Sequence, residues 1–279
     1  KWLVRPGAMS EQEIAGAITG FAENAQAAEQ AGFSGVQIHA AHGYLISQFL
    51  SPLSNQRSDQ WGGSIENRAR FLLAIVAAIR AVVSPGFTVA VKINSADFQR
   101  GGFDESDALA VVEMLNGTAV DLVELSGGSY ESPALFSGEA KDNRTLAREA
   151  YFLEFAAKIA KVAKMPLMTT GGIRRLAVAE AVLEEGIAVA GIATALALNP
   201  NLPNEWKNGQ AIDGKAITLS FKDKTLRGLA QLIIVQRHLQ RLGKGKPAGV
   251  ALNPIWTLVS GQIRDKYLIN RYKKWISSQ

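Results

Sequence analysis

Residues 35–44 read GVQIHAAHGY. Val36 and Ile38 belong to a short apolar strand ending at His39, and a tight loop carrying His42, Gly43 and Tyr44 follows. The chain has only three histidines, and two of them stand here, three positions apart, where a strand runs out. Tyr44 follows two residues later. Two imidazoles and a phenol on one small surface suit gripping and protonating a polar oxygen. The stretch therefore reads as the substrate edge of an enzyme pocket.

Working outward, Ser10-Glu11-Gln12-Glu13 is a capping box that opens a helix running to about Ala31. Its apolar stripe passes through Ile14, Ile18, Phe21 and Ala25, and Gly32 stops it. After a long loop the periodicity predicts a helix from about Ser64 to Val83, then the strand Thr88–Asn94, TVAVKIN. Asp104 caps a helix to Leu115, and a strand Val120–Leu125 leads into Ser126-Gly127-Gly128. A helix over about Thr145–Lys164 precedes a strand Pro166–Thr170 that ends in Gly171-Gly172. A shorter helix, Leu176–Glu185, leads to a strand around Ala188–Ile192. The strands read as apolar on both faces and alternate with helices, the pattern of a parallel sheet buried under helices.

A doubly wound sheet and a TIM (β/α)8 barrel both fit that alternation. The barrel is favoured by where the chemical residues fall. His39, Lys92 with Asn94, Ser126-Gly127-Gly128, Gly171-Gly172 and Ala193-Thr194 all stand in or just beyond the C-terminal half of a strand. In a barrel those ends converge on one face, where the active site forms. The expected fold is thus α/β, a TIM barrel, with residues 1–205 supplying about five β/α units. At roughly 30 residues per unit, about 90 residues of a whole barrel are absent before Lys1. Residues 206–279 read as a helical C-terminal extension, with helices at about Thr218–Leu242 and Pro254–Lys274.

Charge separates the same two parts. Residues 1–200 carry 16 basic and 21 acidic side chains, whereas residues 201–279 carry 14 and 4. The basic residues of the tail are spaced along helices without a nucleic-acid-binding motif, so a solvated helical face is the reading. The chain has no cysteine, which excludes disulfides, a cysteine nucleophile, thiolate zinc sites and iron–sulfur clusters on it. Lys1–Val4 lacks the apolar core of a signal peptide. No run approaches the roughly 18 apolar residues that span a bilayer. These features point to a cytoplasmic protein with a small-molecule substrate, no nucleic-acid partner and no membrane insertion; a homo-oligomer is left open.

Lys92 is a charge inside an apolar strand, where an unpaired lysine is costly. It either serves a site or pairs with a carboxylate such as Glu124. The loop Asn55–Arg68 carries Arg57, Asp59, Glu66 and Arg68, read as an ion-pair network that pins the loop rather than as substrate contacts.

Four stretches in combination resemble the Old Yellow Enzyme family of FMN-dependent NAD(P)H:flavin oxidoreductases, including its 2,4-dienoyl-CoA reductase-like branch. They are GVQIHAAHGYLISQFLSPLSNQRSDQWGGSIENRARF (35–71), VAVKINSADFQRGGF (89–103), LVELSGGSYESP (122–133) and PLMTTGGIRRLAVAEAVLEEGIAVAGIATALALNPNLP (166–203). The resemblance covers about residues 8–205. It implies that His39 and His42 hydrogen-bond a substrate carbonyl or nitro oxygen above the flavin, and that Tyr44 delivers a proton to Cα. It places Lys92 against flavin N1 and O2, and the cofactor phosphate near Gly171, Gly172, Ala193 and Thr194. Many relatives have Gly-Arg where Ala193-Thr194 stand, so the guanidinium is absent there, and phosphate affinity is either weaker or borrowed from Arg174 or Arg175. The implied cofactors are FMN, with NADH or NADPH as hydride donor, and the implied activity is ene-reduction of an activated alkene. The missing cysteines argue against the large iron–sulfur members. Two other readings stand beside it. One is a truncated, flavin-free barrel fragment without activity of its own; the other is a Schiff-base aldolase using Lys92.

Overall fold

The computed structural model of the chain describes residues 7–126 and 155–278. Among them the chain forms two compact units, one of residues 7–126, 155–172 and 179–191, the other of residues 173–178 and 192–278.

The first unit contains a five-stranded sheet of β1 (Gly35–Ala40), β2 (Thr88–Asn94), β3 (Leu122–Ser126), β4 (Leu167–Thr170) and β5 (Val189–Gly191). All four pairings are parallel, and the spatial order equals the sequence order. A doubly wound sheet reverses its strand order at a switch point. Here every strand lies beside its sequence neighbour, which is how the arc of a barrel is built. The sheet does not close among the described residues, since β1 and β5 each have a partner on one side only.

The helices of this unit start where their caps dictate. Before α1 (Glu11–Gln30), the Ser10 hydroxyl accepts from Glu13 N at 3.2 Å and the Glu13 carboxylate accepts from Ser10 N at 2.7 Å. Ile14, Ala22 and Ala25 are the buried residues of α1. Ser64 caps α3 (Ile65–Arg80), and Asp104 caps α4 (Glu105–Leu115) by accepting from two backbone amides. α1 packs on α3 and α3 on α4. Phe71, Leu72, Ile75, Val76 and Ile79 of α3 are fully buried or nearly so. Each such side chain contributes about 1.5–3 kcal/mol of burial free energy. Residues 155–160 are helical (α5) and the remainder of the expected helix over Thr145–Lys164 lies outside the described residues, except for 161–164, which are not helical.

The sheet corrects one expectation about its strands. They are not apolar on both faces. Residues matched by register share a face, and one face holds Val89, Val91, Ile93, Val123, Leu125 and Leu167, all buried. The other carries Gln37 and His39 on β1, Lys92 and Asn94 on β2, Glu124 and Ser126 on β3, and Thr170 on β4. The apolar face contributes to the hydrophobic core, and the polar face gathers the hydrogen-bonding and charged side chains.

Two further readings change as well. The segment after β1 is not a plain loop, because α2 (Leu45–Leu50) forms within it and buries Ile46, Phe49 and Leu50. Six residues are too few for a distinct helical period, so packing rather than pattern makes this turn. β3 is shifted toward its C-terminus and includes Ser126. Gly127 and Gly128 lie outside the described residues.

α6 (Leu176–Glu184) matches the expected short helix. The second unit contains α7 (Thr194–Leu198), α8 (Leu202–Lys207), α9 (Lys224–Leu242) and α10 (Pro254–Ile276). The sequence did not single out α7 and α8. α9 begins later than the expected Thr218, because Asp223 accepts from Leu226 N at 2.7 Å and sets its start. Among the described residues no helix is long and apolar enough to cross a membrane.

Candidate active site

The C-terminal ends of β1, β2 and β3 bring one constellation together. His39 stands on the polar face of β1 as the register partner of Lys92. The chain then turns through His42, which has φ 62°, and Gly43, which has φ 77°. Tyr44 follows as the N-cap residue of α2. The His39 and His42 rings meet edge to face with centroids 5.1 Å apart, and the His39 and Tyr44 rings lie 4.8 Å apart. His39 and Tyr44 are exposed, and His42 is half-buried. His39 is therefore not a core histidine. It stands on an open surface.

His42 is held from two sides. Its backbone N–H donates to Asn94 Oδ1 at 3.2 Å, and its ring Nε2 lies 2.8 Å from Ser126 Oγ. The orientation of Asn94 is fixed in turn, since its Nδ2 donates to the Asp97 carboxylate at 3.0 Å. An ionised carboxylate only accepts, so the amide oxygen must face His42. Asp97 also accepts from Phe103 N at 3.2 Å, which closes the turn after β2.

Burial is the main cause that lowers the His42 pKa, and Lys92 and His39 push the same way, bringing it to about 4. Burial and Lys92 lower His39 as well, with Glu124 opposing. Both rings are therefore neutral near pH 7, and each carries a single N–H.

Lys92 pairs with Glu124, Nζ to Oε1 at 2.8 Å, and Gln37 Nε2 donates to the second carboxylate oxygen at 2.7 Å. Burial opposes the Glu124 charge, and the Lys92, Thr170 and Gln37 side chains around it outweigh burial, so its pKa is lowered. The carboxylate alternative for Lys92 is thus realised. The Lys92 side chain nevertheless keeps 20% of its exposure against 6% for Glu124, so Lys92 is the more open partner of the pair. A lysine engaged by a carboxylate on the neighbouring strand is a poor nucleophile for imine formation, and this contact weighs against the aldolase reading.

Gly171 and Gly172 follow β4 with φ 155° and 70°. A Cβ added at Gly172 would meet nothing within 4 Å, so this backbone borders open space at the end of the sheet. Ala193 caps α7 and Thr194 is its first residue, in the second unit. In that unit Arg174 donates to Gly214 O at 3.5 Å and lies 3.9 Å from Asp213.

In the loop Asn55–Arg68, Arg57 Nε donates to Asp59 at 3.0 Å and its NH1 donates to Met9 O at 2.6 Å. Arg68 pairs with Asp107 of α4 at 2.8 Å and also donates to the carbonyls of Gly63 and Leu50. The loop is pinned by ion pairs, as read from the sequence, although the partner of Arg68 comes from outside it. Glu66 answers to Ser64 at the start of α3.

Sequence reasoning set Asn94 and Ser126 at the converging strand ends without giving either a role, and it did not single out Asp97 or Gln37. A signal was present. Polar residues recur at i and i+2 in three successive strands, at 37 and 39, 92 and 94, and 124 and 126. That spacing puts each pair on one face of its strand.

A cofactor of flavin type fits these residues. The face presents a cation at Lys92, amide and carboxylate groups beside it, and an unobstructed glycine backbone at Gly172.

Comparison with known proteins agrees. The sequence matches the NADH:flavin oxidoreductase / NADH oxidase family over residues 3–213. The chain is 41% identical over 206 residues to the NADH-dependent flavin oxidoreductase iliE of Hypocrea jecorina, covering 71% of this chain and 51% of that protein. Among solved structures it is similar to morphinone reductase in complex with tetrahydroNAD, with TM-score 0.61, 26% identity and coverage of 76% and 53%. It is also similar to the old yellow enzyme homologue from Zymomonas mobilis, with TM-score 0.59, 25% identity and coverage of 75% and 56%. The chain spans about half the length of these relatives. A parallel β/α arc with its polar residues at the strand ends, matched over most of its length, places the chain in the NADH:flavin oxidoreductase / NADH oxidase family, the Old Yellow Enzyme-like TIM-barrel flavoproteins.

Proposed function

We propose that this chain carries the substrate-handling side of an ene-reductase, acting on alkenes conjugated to a carbonyl or nitro group. The observation that carries the reading is the contact of the His39, His42 and Tyr44 rings on the polar face that also bears Lys92. FMN, when bound, supplies the hydride it has taken from NADH or NADPH.

The chain's own residues do the rest. His39 and His42, each neutral, give one N–H apiece to the substrate oxygen. Two donors aimed where negative charge develops lower the barrier because they are already oriented. Holding the rings neutral is useful here, since a neutral imidazole can donate without itself surrendering a proton to an enolate. Tyr44 gives its phenolic proton to Cα. A phenolic O–H within reach of a forming enolate can act as its general acid. Lys92 offers its ammonium to the electron-rich edge of the isoalloxazine, while Glu124 and Gln37 hold it in place. Gly171 and Gly172 allow backbone N–H groups to approach a phosphate closely. Ala193 and Thr194 keep the part that the family resemblance gives them, with a hydroxyl and amide in place of a guanidinium.

The test is anaerobic spectroscopy of the chain after incubation with FMN. Bound flavin should bleach on addition of NADH or NADPH and regain its yellow colour with 2-cyclohexenone. A chain that takes up no FMN supports the rival reading, a barrel segment without activity of its own.

A further inference from the structure

We propose that Ser126 is a positioning residue that sets the tautomer of His42, donating its hydroxyl proton to Nε2 so that the ring's own proton stays on Nδ1, where it serves the substrate oxygen. The inference rests on the ene-reductase reading for its purpose, but not for its geometry.

Ser126 ends β3 with 2% exposure, and its Oγ lies 2.8 Å from His42 Nε2. Two proton arrangements satisfy that distance. If Nε2 carries the proton and donates, the serine hydroxyl proton has no acceptor among the described residues, and Nδ1 becomes a bare acceptor. If the serine donates, its buried hydroxyl proton is used, and the donor left over is the Nδ1–H of the half-buried His42 ring, which solvent or a ligand can reach. Buried donors are left without partners far less often than acceptors. The second arrangement is therefore the one that the burial favours. His42 Nδ1 makes no hydrogen bond among the described residues, so its N–H is available to a ligand.

The backbone supports the same outcome. His42 sits at φ 62°, and Asn94 Oδ1 accepts from its N–H while Asp97 fixes the amide. With the main chain held there, the ring is kept beside Ser126, and Nε2 is the nitrogen that meets the hydroxyl. A neutral imidazole whose orientation is fixed can still hold its proton on either nitrogen. Ser126 is the group that decides between them. The role differs from that of Tyr44, because Tyr44 is exposed whereas Ser126 is buried. It acts through His42.

The experiment is nitrogen-15 NMR of the chain labelled at its three histidines, with His42→Asn used to assign the His42 signals. The unsubstituted chain should show His42 with a protonated Nδ1 and a pyridine-type Nε2. Ser126→Ala should move the ring to the opposite tautomer or to a mixture, and Ser126→Thr, which keeps the hydroxyl, should restore the original pattern. In the FMN-loaded chain, Ser126→Ala should slow reoxidation by 2-cyclohexenone by up to about 100-fold, with reduction by NADH unchanged. A protonated Nε2 in the unsubstituted chain overturns the proposal, and so does an Ser126→Ala ring that keeps its tautomer. Because the NMR readout needs neither flavin nor turnover, a chain that fails to reduce enones but shows these tautomers would refute the ene-reductase reading while sustaining this one.

Discussion

His42 concentrates the physics of the site in one residue. It is one of two described non-glycine residues with positive φ, a conformation that costs about 1–3 kcal/mol and persists only when its surroundings enforce it. Asn94 and Ser126 supply that enforcement from two neighbouring strands. The ring's lowered pKa has a consequence for stability. Between its ordinary value of 6.5 and its folded value of about 4, the unfolded chain binds a proton that the folded chain refuses. Stability must therefore fall as pH falls through that window, and be insensitive to this group above it. His39 is lowered too and adds in the same sense. Urea unfolding from pH 4 to pH 8 should show midpoints that decline below pH 6.5, and His42→Asn should flatten the decline. An unaltered slope in that variant would mean that His42 is not the group responsible.

At the scale of elements, the site depends on a loop that the sequence marks only by its charges. Arg68 of α3 reaches Asp107 at the start of α4 and two carbonyls, those of Leu50 at the end of α2 and Gly63. Its side chain is 8% exposed and that of Asp107 15%, so this is a buried pair rather than a surface one. Removing one partner of such a pair leaves an uncompensated charge and costs about 3–5 kcal/mol. Arg68→Met should lower the unfolding free energy by about 3 kcal/mol in urea titration, whereas Arg57→Met, in a pair whose Asp59 is exposed, should cost well under half of that. Equal losses would show that the loop is not anchored through Arg68. The effect should extend to the site, because α2 begins at the residue after Tyr44.

For the molecule as a whole, the order of strands and helices was legible because periodicity of apolar residues reports burial directly, and the caps at Ser10 and Asp104 wrote two helix starts in plain view. His39, His42 and Tyr44 were legible because two of only three histidines share a strand end. What remained hidden had physical reasons. The polar face escaped notice because Ala90 and Leu122 interrupt its alternation with apolar residues. Ser126 looked like part of a glycine turn, since only the register with Asn94 shows that it stands on the strand beside His42. α2 is held by packing, which no local pattern announces. The pairing of Lys92 with Glu124 was one of two open readings, and a contact between strands decides it. The central claim, that His39, His42 and Tyr44 form the substrate end of a flavin pocket, is tested most directly by measuring the two half-reactions of the FMN-loaded chain and of Tyr44→Phe by anaerobic stopped flow. The account predicts that the variant is reduced by NADH as fast as the parent but reoxidised by 2-cyclohexenone about 100-fold more slowly or worse. Reoxidation at the parental rate, or an equal loss in both half-reactions, would contradict it.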